Sequence, residues 1–219
     1  MKKTLYSEIS YILGQLFLTF GAALITTAGF GVSMVVAPAY LISEKISFMT
    51  FGMAEYFTQA VLLRVFCIVM RRVRVKYLFS FVTAFLYGVL LDFWLWVIPD
   101  VPYSMEVRVI LFAFGAVFTI VGVTFFFKSY IPPEVYELFV QGISERFGFD
   151  MGRVKWVYDV ASLLVAVGLS FAFFGTLRGV GVGTLICAAV NGPLISLFSR
   201  FLDRRFEFRP AITVPAWLK

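Results

Sequence analysis

Long apolar runs alternate with short polar breaks along this chain. The runs fall at about 9–31, 50–70, 77–98, 107–127, 154–174 and 180–201. Each reaches the roughly 20 residues that carry a helix across the hydrocarbon core of a bilayer. They are continuous, which disfavours a β-barrel, whose strands alternate between lipid and lumen. The pattern predicts an all-α integral membrane protein with six transmembrane helices. The first run follows Met1-Lys2-Lys3 in the manner of a secretory signal. It is longer than the roughly 7–15 residues of a signal's apolar core, and no small-x-small motif follows, so it reads as a retained span.

Two shorter segments interrupt the long runs. One opens at Pro38 within 33–47 and carries Leu41, Ile42 and Ile46. The other opens at Pro132-Pro133 within 128–153, where proline suits a first helical position. There Val135, Leu138, Phe139, Ile143 and Phe147 share one helix face. Glu134, Glu137, Gln141, Glu145 and Arg146 share the opposite face, and Gly148 marks the stop. Each segment is expected to lie on the membrane as an interfacial helix, or to re-enter it with its N-terminal N–H groups facing a polar site.

The halves resemble each other. Phe20-Gly21-Ala22 recurs as Phe114-Gly115-Ala116, and a proline follows each Phe at the same spacing, Pro38 and Pro132. Gly52 with Tyr56 parallels Gly152 with Trp156, and Tyr87-Gly88 parallels Asn191-Gly192. Three spans per copy turn the second copy upside down. The expectation is two inverted three-helix repeats, 1–104 and 105–206, each with a short proline-started helix, then a cytoplasmic tail at 207–219. Inverted repeats are the signature of many secondary transporters, whose substrate sits at the repeat interface near mid-membrane.

Composition agrees with lipid as the solvent: 61% of residues are hydrophobic, 15% are charged, and the mean hydropathy is +0.92. A soluble domain is nearer one quarter charged. The net charge of +6 reads as basic loops rather than nucleic-acid binding. With the N-terminus inside, fifteen Lys and Arg fall on the cytoplasmic side and three, Lys45, Arg108 and Arg178, outside. That bias places both termini in the cytoplasm and the protein in a bacterial-type cytoplasmic membrane. Trp94, Trp96 and Tyr103 lie near the expected outer interface. There is no histidine, and Cys67 and Cys187 both lie in apolar runs, so neither a metal site nor a disulfide is expected. No cofactor motif and no catalytic constellation occur. The glycine-rich 179–184 lacks the ending of a phosphate-binding loop and reads as a tight turn. Gly192-Pro193 should kink the last span.

Polar residues inside spans are costly and usually mark a pathway or pair with one another. They are Glu55, Gln59 and Arg64 in span two, Asp92 in span three, Lys155, Tyr158 and Asp159 in span five, and Asn191 and Ser196 in span six. Glu55 and Gln59 are four apart, as are Lys155 and Asp159, so each pair shares a helix face. The repeat aligns Glu55 with Lys155, Gln59 with Asp159 and Asp92 with Ser196. These residues are the candidate substrate site. Asp159 is the candidate proton-coupling acid, with a buried acid–base structural pair as the competing reading.

The run Pro133-Glu134, Gly152-Arg153-Val154-Lys155, Asp159, Gly179, Gly183-Thr184, Ala188 and Gly192-Pro193 resembles the second half of the YczE/YitT-like bacterial membrane proteins. Gly31-Val32-Ser33, Tyr40, Ser43, Phe51-Gly52, Gly88 and Asp92 are similar to the first half of the same group. Ala37-Pro38 and Pro132-Pro133 stand where many relatives carry Ser-Pro or Pro-Gly. The resemblance covers nearly the whole chain and implies a multi-span cytoplasmic-membrane protein without naming a substrate. The expected function is a small-solute secondary transporter or facilitator, not an enzyme. Its expected partners are membrane lipids and a small polar or charged solute, and a homodimer is compatible with its size. The alternatives are a non-transport scaffold or assembly factor, and a substrate-binding subunit of a larger importer.

Overall fold

In hydrocarbon the backbone must satisfy its own N–H and C=O groups, and an apolar run does so as a helix. The computed structural model describes residues 3–99, 101–149 and 151–211. Its helices are α1 Ser7–Ala28, α2 Ala37–Lys45, α3 Phe51–Met70, α4 Val75–Val97, α5 Met105–Phe126, α6 Val135–Phe147, α7 Met151–Phe174 and α8 Val182–Arg205. All but α2 and α6 are long and apolar enough to span a membrane. The chain is therefore a multi-pass membrane protein. Val61, Val65, Ile68, Val109, Phe114 and Leu164 are exposed on these helices, as side chains facing lipid are. Helix order runs long, short, long, long, and then repeats.

Six crossings return the chain to the end where it began. There β1 Lys3–Tyr6 pairs in parallel with β2 Phe206–Arg209, Lys3 opposite Phe206. The sequence pattern did not predict this clip. Glu8 accepts the Ala211 N–H beside it. Of the expected tail only 207–211 is described; Lys2, Lys219 and 212–219 lie outside the described residues.

The centre of the bundle is the antiparallel contact of α1 with α5. Gly21 faces Gly115: a Cβ on Gly21 would stand 2.7 Å from the Gly115 carbonyl oxygen, and one on Gly115 2.9 Å from that of Gly21. Only glycine permits so close an approach. Arg108 seals one end of this pair, donating to the Ala28 and Gly29 carbonyls at 2.8 and 3.0 Å, acceptors a helix C-terminus leaves free.

The two remaining long pairs differ. Helices α3 and α4 pack tightly, and a Cβ on Gly88 would come within 2.6 Å of the Gly52 carbonyl. Helices α7 and α8 scarcely touch. Nothing stands within 4 Å of where a Cβ on Gly168 or Gly192 would be. Within the most apolar stretch of each helix, 33% of α3 and α4 is buried against 17% of α7 and α8. Helix α8 runs unbroken through Pro193. Proline offers no N–H to the carbonyl four residues back, that of Ala189, which is left without its helical partner.

Candidate functional site

Glu55 and Gln59 stand one turn apart on α3, and their shared face meets the start of α6. Gln59 Nε2 donates to Glu134 Oε2 at 2.9 Å and to Glu55 Oε2 at 3.5 Å. Gln59 Oε1 accepts the Val135 N–H at 3.0 Å, so both ends of the amide are engaged and its orientation is set. Tyr136 donates its hydroxyl to Glu55 Oε2 at 3.0 Å. Glu55 and Gln59 are fully buried, and Glu134 and Tyr136 are 5% and 4% exposed. Glu55 Oε1 is enclosed with no hydrogen-bond partner.

The stretch before α6 holds Glu134 in place. Glu134 is extended, with φ −58° and ψ 163°, so the helix begins at Val135 rather than at the prolines. The Pro132 carbonyl accepts the Thr83 hydroxyl of α4 at 3.1 Å. Tyr11 of α1 lies 2.9 Å from that hydroxyl, and Gln15 donates to the Thr83 carbonyl at 3.3 Å. Thr83 is more than two turns inside α4 and Gln59 more than two turns inside α3, so the start of α6 lies deep between them. Of the two placements expected for the segment, lying on the membrane would leave the face of Glu134 and Glu137 to water. In the structure Glu134 is buried and Glu137 half-buried, because α3, α4 and α7 all pack against α6. Burial pushes the Glu134 carboxyl well above the usual carboxylate range, and the negative Glu137 and Glu55 push it further. Burial also raises Glu137, against the pull of Lys155.

Helix α7 adds the outer part of the site. Lys155 and Asp159 pair with each other at 2.9 Å, within electrostatic reach of Glu137. The Tyr158 ring stands 6.2 Å from Tyr136 and 5.6 Å from Phe139. Five of the sequence candidates, Glu55, Gln59, Lys155, Tyr158 and Asp159, thus gather around α6.

The other four lie elsewhere. Asp92 accepts the Thr50 hydroxyl at 2.5 Å and the Gly52 N–H at 2.7 Å, which ties the end of α4 to the start of α3. Arg64 and Ser196 are exposed, and Asn191 is half-buried with its Oδ1 unpartnered. Glu134 and Tyr136 were not among the candidates. Their only sequence signal is position: an acid directly after Pro-Pro at a helix start, where carboxylates are favoured. A cavity of about 220 Å³ at the end carrying the termini is lined by Arg72, Arg74, Lys76 and Arg146. A second, of about 420 Å³ at the far end, is lined by Tyr40, Glu44 and Arg178. The buried cluster lies in neither.

The family described as "Family of unknown function (DUF6198)" matches residues 5–200. The chain is also similar to "Uncharacterized protein YyaS" of Bacillus subtilis (strain 168), with 27% identity over 201 residues, 90% of this chain and 94% of that one. No solved structure matches.

Proposed function

Since the chain belongs to the family of unknown function DUF6198, whose description carries no activity, we propose from geometry that it is a small-solute secondary transporter built on two inverted repeats. One observation carries the reading: α3 of the first half and the start of α6 of the second meet in an enclosed polar cluster, deep inside an otherwise apolar bundle. Such groups inside a membrane protein are expensive, and a pathway is their usual reason.

The packing supports the repeats. Gly21 and Gly115, equivalent by sequence, face each other across α1 and α5, as self-equivalent positions do on a two-fold axis. Each short helix packs on the third helix of the opposite half, α2 on α7 and α6 on α3. In this reading both short helices are re-entrant. The resemblance to the YczE/YitT-like proteins rests on its quoted motifs and adds no substrate.

The departure from symmetry supports transport. The α3–α4 pair is shut by Gly52, Gly88 and Asp92, while the equivalent α7–α8 pair stands apart. In an inverted repeat these are gates at opposite ends. With the termini in the cytoplasm, as the distribution of Lys and Arg favours, this state is open inward. Spin labels at Trp156 and Leu197, both exposed, test the cycle. The expected result is two interconverting α7–α8 distances, with Gly192→Leu holding the longer one, since its side chain has room only while the pair is apart. One unchanging distance at every pH and ionic condition would overturn the transport reading in favour of a scaffold.

A further inference from the structure

Two carboxylates, Glu55 and Glu134, share one amide in this cluster, and neither has a basic partner. Among the described residues the ion pairs are Lys128–Asp203, Lys155–Asp159 and Arg209–Glu207. The groups facing the two acids are few. Tyr87 comes from α4 and is buried, and Tyr11 of α1 stands behind Thr83. Tyr136 and Glu137 come from α6, and Tyr158 with the self-neutralised Lys155–Asp159 pair comes from α7. None of these supplies a free positive charge.

An uncompensated carboxylate taken out of water is among the costliest groups a protein can hold. The cluster therefore needs a proton or another positive charge from outside the chain. Glu55 Oε1, enclosed and without a partner, is the oxygen left to receive it. Among the described residues no three His, Cys, Asp or Glu side chains converge as a metal site needs, which disfavours a divalent ion. The Tyr136 hydroxyl meets Glu55, the ring of Tyr158 lies beside that of Tyr136, and the ring of Phe139 lies beside that of Tyr158. Aromatic faces favour a monovalent or organic cation.

We propose that Glu55, Gln59, Glu134 and Tyr136 form an exchangeable monovalent-cation site, in which a proton and a cation compete for the carboxylate oxygens of Glu55 and Glu134. It rests on the transport reading and makes this cation the solute or the coupling ion. Binding needs no covalent step. The cation enters as the proton leaves Glu55 or Glu134 for water, so net charge in the site is conserved. Asp159, held by Lys155, is not the exchanging acid.

The experiment uses the purified full chain in detergent, with sodium, potassium and methylammonium ions as separate probes. Thermal stability and proton release, read by an indicator dye, are followed across pH. The expected result is that at least one probe stabilises wild type at alkaline pH and releases about one proton per ion bound. Its apparent Kd should rise about tenfold for each pH unit of acidification once protons dominate. The probe that acts separates an inorganic ion from an organic amine. Glu55→Gln and Glu134→Gln should lose the effect, while Asp203→Asn, on the exposed Lys128 pair, should keep it. Should the glutamine variants not fold, Tyr136→Phe keeps the ring and should weaken the probe several-fold. The proposal is overturned if no probe shifts stability or releases a proton from wild type at any pH. It is equally overturned if the glutamine variants bind the probe like wild type. Two α7–α8 distances without cation linkage would reject this site and leave transport standing; cation linkage with one fixed distance would do the reverse.

Discussion

Asp92, a candidate for the substrate site, fastens one helix to another. Its carboxylate accepts from the Thr50 hydroxyl and the Gly52 N–H, and Thr50 in turn accepts the Met53 N–H of α3. A helix N-terminus has unsatisfied N–H groups and a partial positive charge, so an acid there is stabilising. Hydrogen bonds to a charged group contribute about 1.5–3 kcal/mol. Asp92→Ala should therefore lower thermal stability in detergent by about that amount, and Asp92→Asn by less. A fully stable alanine variant would show that the contact contributes nothing. Spacing gave Glu55 and Gln59, because four residues put two polar groups on one helix face. It could not give Glu134 or Tyr136, whose role depends on which element covers α6.

At the scale of elements, glycine decides which helices touch. Gly52 and Gly88 match Gly152 and Gly192 only in sequence pattern; a Cβ on Gly52 or Gly88 would conflict with the other's carbonyl, while one on Gly192 would meet nothing. Gly52→Ala should run into the Gly88 carbonyl and destabilise the protein by about 1–3 kcal/mol, the usual cost of overpacking. Gly192→Ala should be neutral or stabilising by up to about 1 kcal/mol, since alanine is the better helix former. Thermal unfolding of the two variants side by side checks the contrast, and equal losses would mean α7 and α8 are packed as closely as α3 and α4. The short proline segments follow the same logic. Their sequences specify a helix and its start to within three residues, but not its depth. The apolar face of α6 is equally suited to a headgroup layer and to the side of α3.

Across the whole molecule, an even number of crossings brings β1 and β2 together and puts the break between α3 and α4 at the same end as the termini. From the bias of Lys and Arg we propose that this end faces the cytoplasm. Cysteines placed at Val73 and at Leu177, both exposed, in a chain lacking Cys67 and Cys187, report the orientation. An impermeant thiol reagent applied to intact cells should label position 177 and spare 73. Labelling of position 73 from outside would invert the assignment.

Sequence alone determined that the chain lives in lipid, how many times it crosses, and that its order of elements repeats. Those properties follow from run length and the hydration cost of the backbone, which are local. Sequence also supplied Glu55, Gln59, Lys155, Tyr158 and Asp159 as polar residues in costly places. Only the tertiary structure decided which acids have a basic partner: Asp159 has Lys155, while Glu55 shares a single glutamine with Glu134, which spacing had not singled out. It also decided that Gly52 and Gly88 meet while nothing stands against Gly192. Both are consequences of how helices far apart in the chain approach, and a linear pattern of apolar and polar residues contains no distance between them.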